Sequence, residues 1–149
     1  IDKNNSNIMY IGTGDRDAGD AAGAGVMKST DGGTTWTSSN TGMGNLTVGN
    51  LLINPSNSNI LIAATSGGIY RSTNAGANWT RTSSNTMHYK DIAFNPKNPN
   101  TVFATENGKF YRSTNNGINW TQITSGLTTR YRGVIGVTPA DSSYVYFVI

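Results

Sequence analysis

The 149-residue chain contains no cysteine, so neither a disulfide nor a thiol nucleophile enters its chemistry. Absence of cysteine fits exported bacterial proteins and cytosolic proteins equally well. His88 is the only histidine, which excludes a metal centre built from several histidines of this chain. Only 13% of the residues are charged, and the net charge of +3 comes from scattered side chains. No basic stripe is present, so nucleic acid is not the expected partner. No apolar run approaches the ~20 residues of a membrane-spanning helix, and no apolar spacing of 3.6 residues is sustained. No serine lies in a nucleophile-elbow context, and the glycine pairs Gly12/Gly14 and Gly23/Gly25 precede no helix that would cradle phosphate. The chain opens on Ile1 with no secretory leader, which reads as an internal position of a longer polypeptide.

Asn, Ser, Thr and Gly are abundant instead. They favour strands, tight turns and polar loops. Within that background one eight-residue phrase occurs three times, as S-T-[D/N]-x-G-x-x-W. Its fixed residues are Ser29, Asp31, Gly33 and Trp36, then Ser72, Asn74, Gly76 and Trp79, then Ser113, Asn115, Gly117 and Trp120. The serines lie 43 and 41 residues apart, a period that marks a repeat architecture. A second phrase keeps phase with it: Asn54-Pro55-Ser56-Asn57-Ser58-Asn59 and Asn95-Pro96-Lys97-Asn98-Pro99-Asn100, with looser copies at Asp2–Asn7 and Thr138–Ser143. Asp or Asn closes an Asx turn by accepting an N–H two residues on. The glycine supplies a positive φ, and the tryptophan an apolar pin at the start of the next strand. The phrase therefore reads as a structural hairpin turn.

The phrase resembles the Asp-box, or BNR repeat, found in β-propellers. These include sialidases, xyloglucan-active glycoside hydrolases, sortilin-type receptors, a photosystem assembly factor and many secreted bacterial surface proteins. The resemblance implies an all-β fold of four-stranded antiparallel blades, with the box a structural turn away from the active-site face. It leaves the activity open, because enzymes, receptors and scaffolds share the fold.

Turn signals cut each repeat into four strands, A to D from the axis outward. Strand A is expected at 48–54, 89–95 and 131–138. Strand B is expected at 8–13, 60–65, 101–105 and 144–149. Strand C falls at 25–29, 68–72 and 108–113, and strand D at 35–39, 78–82 and 119–124. The runs Ile60–Ala64 and Val102–Ala104 are nearly all apolar, as for strands covered on both faces. The whole of 1–149 thus reads as a partial propeller: part of one blade at 8–39, blades at 47–82 and 89–124, and the start of another at 131–149. Propellers close with four or more blades, so the partners expected first are the remaining blades of a parent chain.

Functional residues are harder to place. Between strands B and C the first repeat carries an insertion, Gly14–Gly25, holding Asp15, Asp17 and Asp20 among the eight acids of the chain. Loops on rigid scaffolds carry function disproportionately. These three carboxylates are candidates for a Ca²⁺ site, although their spacing is not that of an EF-hand. The loop alternatively meets a glycan or protein ligand, or is structural, with Asp15 and Asp17 flanking Arg16. Asp91, in a strand A, is the weak candidate for catalysis, with an ion pair to Lys90 as the plainer reading. Arg130, Tyr131 and Arg132 invite comparison with the arginine triad of sialidases, without a motif for the full set. Tyr89 and Tyr131 stand at strand A starts, where a channel mouth would lie. Lys28, Arg71 and Arg112 precede the box serine in every repeat, which marks them as structural surface positions. The leading expectation is a non-catalytic binding or scaffold module of a secreted or cell-surface bacterial protein, without a nucleic-acid partner or a membrane span. The alternatives are a fragment of a sialidase- or xyloglucanase-like hydrolase and a sortilin-like peptide-binding propeller.

Overall fold

A computed structural model describes residues 1–17, 21–124, 126 and 133–148. Within them lie thirteen strands and no helix. The strands are β1 (Met9–Gly12), β2 (Val26–Ser29), β3 (Thr37–Ser38), β4 (Val48–Ile53), β5 (Leu61–Thr65), β6 (Gly68–Ser72), β7 (Thr80–Arg81), β8 (Asp91–Phe94), β9 (Val102–Glu106), β10 (Lys109–Ser113), β11 (Thr121–Ile123), β12 (Val134–Val137) and β13 (Val145–Val148). They form four antiparallel sheets in sequential order, β1-β2-β3, β4-β5-β6-β7, β8-β9-β10-β11 and β12-β13. The chain is an arc of a β-propeller.

The burial pattern follows the apolar runs. Every residue of β5 and β9 is buried. Ile62, Ala64 and Ile69 of the second sheet pack with Tyr89, Ile92, Val102 and Ala104 of the third. Val26 of the first packs with Leu61, Ala63 and Trp79 of the second. Each sheet thus buries a face only by meeting its neighbour.

Two local departures from the expected strands have clear causes. The fourth strands are short because the N–H groups of Thr35, Asn78 and Asn119 donate to Asp31, Asn74 and Asn115, and not to a ladder. The inner strand β8 begins at Asp91, since Tyr89 and Lys90 donate their N–H groups to Thr65 and Thr105 outside the β8–β9 ladder register. A bulge between Val48 and Asn50 shifts the register of β4 against β5. Gly49 sits in it because a Cβ there would lie 2.8 Å from the Lys90 carbonyl oxygen, so only glycine lets the inner strands approach so closely.

The meander has two ends. The A-to-B turns and the C-to-D boxes share one. The B-to-C turns and D-to-A connections share the other, together with the Thr13–Gly25 insertion.

Candidate functional site

At the box end, one serine organises each turn. Ser29 Oγ donates to Asp31 Oδ1 at 2.8 Å and accepts the N–H groups of Asp31 and Gly33 at 3.3 and 2.9 Å. Ser72 and Ser113 repeat the arrangement with Asn74 and Gly76, and with Asn115 and Gly117. The Asx side chain reaches four residues on, to the N–H of Thr35, Asn78 or Asn119. This corrects the two-residue Asx turn expected from the sequence: the serine takes the near N–H groups, which frees the longer side chain for the far one. The box glycines have φ of 91°, 82° and 75°, and the residues before them, Gly32, Ala75 and Asn116, are also left-handed at 70°, 54° and 59°. Thr35 Oγ1 adds a 2.6 Å bond to Asp31 Oδ2. This bond, followed by the Thr35 N–H and Ser29, holds the Asp31 carboxyl down at about 2.

The boxes also join one sheet to the next. Trp79 Nε1 donates to the Ser39 carbonyl at 2.6 Å, and Trp120 Nε1 to Thr82 Oγ1 at 3.1 Å. Lys28 Nζ and Tyr10 OH both donate to the Ala75 carbonyl, and Arg71 Nε donates to the Asn116 carbonyl at 2.8 Å. Burial pushes the Tyr10 phenol up to about 12 and lowers the Arg71 guanidinium, which nonetheless stays charged. Lys28 and Arg71 are therefore inter-sheet ties and not surface decoration. Their shared spacing was visible; their target was not, because it lies in the following repeat. Most of these bonds satisfy backbone groups.

The opposite end holds the insertion. Thr13 and Gly25 close its neck, with Thr13 N–H and Oγ1 both donating to the Gly25 carbonyl. Asp15 N–H donates to the Ala21 carbonyl, and Asp15 Oδ1 accepts the Asp17 N–H at 2.7 Å. Arg16 Nε stands 3.6 Å from Asp17 Oδ1. Asp20 lies outside the described residues, as do Arg130, Tyr131 and Arg132. Among the described residues, no group of three or more His, Asp or Glu converges on a metal-sized site. His88 lies on the same end, with its Nε2 buried and without a hydrogen-bond partner among the described residues. Burial, followed by the Lys90 charge, lowers its imidazole, while Asp17 opposes.

Two carboxylates are buried at this end, Asp91 on the inner strand β8 and Glu106 at the close of β9. Asp91 Oδ1 accepts from Asn50 Nδ2 at 2.7 Å and from the Ile92 N–H, and Asp91 Oδ2 accepts the Ile135 N–H at 2.9 Å. It links the inner strands β4, β8 and β12, and Asn50, not Lys90, is its side-chain partner. Glu106, fully buried, accepts from Tyr111 OH at 2.8 Å and faces Lys109 Nζ at 3.2 Å. Tyr89 packs against Tyr111 with ring centroids 5.3 Å apart, so its ring belongs to the core. Burial raises both phenols, and the Glu106 hydrogen bond raises Tyr111 further. Sequence reasoning missed the Glu106–Tyr111 pair and the Asn50–Asp91 pair. Residues opposite each other across a hairpin can be read from a sequence; residues 41 positions apart in adjacent sheets cannot.

Comparison with known proteins places this geometry. The family described as Sortilin, neurotensin receptor 3 (Sortilin-Vps10) matches residues 24–141. The chain belongs to the Sortilin-Vps10 family. No curated protein matches the sequence. Among solved structures, an ancestral GH74 enzyme superposes with a TM-score of 0.79 at 22% identity, over 99% of this chain and 21% of that one. The GH74 enzyme of Niastella koreensis gives 0.60 at 27% identity, over 91% of this chain and 23% of that one. YCF48 bound to the D1 peptide gives 0.52 at 16% identity, over 81% of this chain and 46% of that one. This Sortilin-Vps10 chain thus spans about a fifth of the length of the two GH74 structures. It is a propeller module of that family, and it shares its fold with the GH74 enzymes and YCF48.

Proposed function

We propose that this arc belongs to a non-catalytic binding propeller of a secreted or cell-surface bacterial protein. Its ligand-facing side is the end that carries the Thr13–Gly25 insertion, and its ligand is a glycan or a protein segment. The observation that carries the reading is Asp91. Glycoside hydrolysis by an acid pair needs two carboxyl groups facing the scissile bond. Asp91, the strand A candidate for that role, has both oxygens engaged by Asn50, Ile92 and Ile135. The insertion supplies polar groups on a rigid frame, a common arrangement for recognition. The peptide carried by YCF48 supports a protein segment as one ligand class. The GH74 likeness favours a second reading, a hydrolase whose acids are divided between this arc and other blades.

The test is a screen of the native polypeptide against glycan and peptide panels, with reducing-sugar release followed in parallel. Binding without release is the expected result. Sugar release that is lost in Asp91→Asn would overturn the non-catalytic reading. Repeating both screens with added Ca²⁺ tests Asp15, Asp17 and Asp20 as cation ligands.

A further inference from the structure

A groove of about 370 Å³ opens beside the second box, between the outer strands of the second sheet and the box of the third. Arg71 enters it from β6, Thr73, Asn74 and Asn78 from the second box, Thr80 from β7, and Ile118 from the third box. Thr82, which accepts the Trp120 indole N–H, also lines it. Both walls belong to complete four-stranded sheets, so the groove lies within the arc and not at its ends.

The charge of this groove is unanswered. Arg71 is half-buried. Its Nε is engaged by the Asn116 carbonyl, which fixes the guanidinium plane and leaves the two terminal nitrogens as donors. The sequence holds no Asp or Glu from 32 to 90 or from 107 to 140, the stretches that build both walls. Among the described residues no ion pair includes Arg71. A partly desolvated cation in that position gains most from an anion held against it.

The first repeat shows the same positions with a counter-charge. Lys28, Asp31 and Thr35 stand there where Arg71, Asn74 and Asn78 stand in the second. Asp31 provides a carboxylate of the chain's own, held by the Thr35 N–H and Oγ1. The second repeat keeps the backbone bond, from Asn78 N–H to Asn74 Oδ1 at 2.9 Å, but an amide replaces the carboxylate. Two exposed amides and the exposed hydroxyls of Thr73 and Thr80 therefore surround the guanidinium. Amides and hydroxyls both donate and accept, which suits a polyol. Ile118, 50% exposed, offers an apolar contact for its C–H groups.

We propose that this groove binds an acidic saccharide, with the terminal N–H groups of Arg71 paired to a sugar carboxylate and the side chains of Thr73, Asn78 and Thr80 bonded to its hydroxyls. A guanidinium met end-on presents two parallel N–H groups, the match for the two oxygens of a carboxylate. The groove belongs to the box end, opposite the insertion, and the assignment is independent of the ligand proposed above.

The test is saturation-transfer NMR on the native polypeptide, with glucuronate, glucose and acetate as probes. Glucuronate should bind with a Kd of about 1 mM, the range open to so small a ligand, and glucose and acetate about tenfold more weakly. Asn74→Asp installs the acid of the first repeat, whose box makes the same turn bond with Asp31. That variant should fold as the parent does and bind glucuronate about tenfold less tightly or worse. Asn78→Ala, which keeps the N–H that closes the turn, should weaken binding about threefold. Equal binding of glucose overturns the reading of the carboxylate, and equal binding of acetate overturns the reading of the sugar. Absence of glucuronate binding also overturns the proposal. So does binding unchanged in Asn74→Asp and Asn78→Ala, since that would place the sugar elsewhere, as at the insertion.

Discussion

Replacing the box serines by alanine should cost different amounts in different boxes, and the difference follows from burial alone. Ser72 is 1% exposed, and its Oγ makes three contacts: it donates to Asn74 Oδ1 and accepts the N–H groups of Asn74 and Gly76. The Gly76 contact is fully buried under Ser39 and Tyr10, so Ser72→Ala leaves that N–H without a partner and without water. An orphaned buried donor costs roughly 1–3 kcal/mol, and the lost serine-to-Asx bond about 1 more, giving about 2–4 kcal/mol in all. Ser29 is equally buried and makes the same bonds, but its contact to Gly33 is only part-buried because that glycine is more open than Gly76. Water replaces the lost partner there, and Ser29→Ala should cost about 1 kcal/mol. For a domain of this size the Ser72 variant should melt roughly 4–16 °C lower, and the Ser29 variant roughly 2–4 °C lower. Urea unfolding of the two variants beside the parent, monitored by tryptophan fluorescence, measures both. Equal losses at the two positions would falsify the burial argument, and a loss below 0.5 kcal/mol at Ser72 would refute its role as the hub of the turn.

Three further outcomes are expected. Asp31 is held at about 2, below its ordinary value of 3.8, so its contribution is complete above pH 4 and disappears as pH falls from 3.8 through about 2; acid unfolding of Asp31→Asn should lack this component, because Asn74 and Asn115 make the same Oδ1 contacts without titrating. Asp91→Ala should destabilise by about 2–4 kcal/mol and speed amide exchange at Ile135, since it strands the Ile135 N–H and leaves Asn50 Nδ2 with only the Ile92 carbonyl; unchanged exchange at Ile135 would argue against the link. The imidazole of His88, followed by NMR, should titrate below 6.5, with burial as the main cause; because the folded state then binds fewer protons, protonation as pH falls past the ordinary histidine range disfavours the fold.

Much of the fold is local and could therefore be read in the chain. The apolar runs Leu61–Ala64 and Val102–Ala104 lie in the fully buried strands β5 and β9, because strands covered on both faces need no polar alternation. The box residues close their own turns within eight positions, so their pattern survives in one dimension. The short fourth strands were not legible, since a donor used by an Asx side chain looks the same in sequence as one used by a ladder. The candidate site was legible only as a length anomaly at Gly14–Gly25. Its hydrogen bonds depend on which residues the neighbouring sheets bring to it.

The sequence by itself determined the repeat, the strand periodicity and the place of the box, because each rests on contacts within about ten residues. Tertiary structure alone decided what the solitary charges do. It set Asp91 against Asn50 and Ile135, and Arg71 against the Asn116 carbonyl. The Asp91 and Arg71 bonds cross from one sheet to another, over 41 to 45 residues of chain. The angle and spacing of the sheets select such partners, and those depend on the packing of the whole arc, which no local pattern encodes.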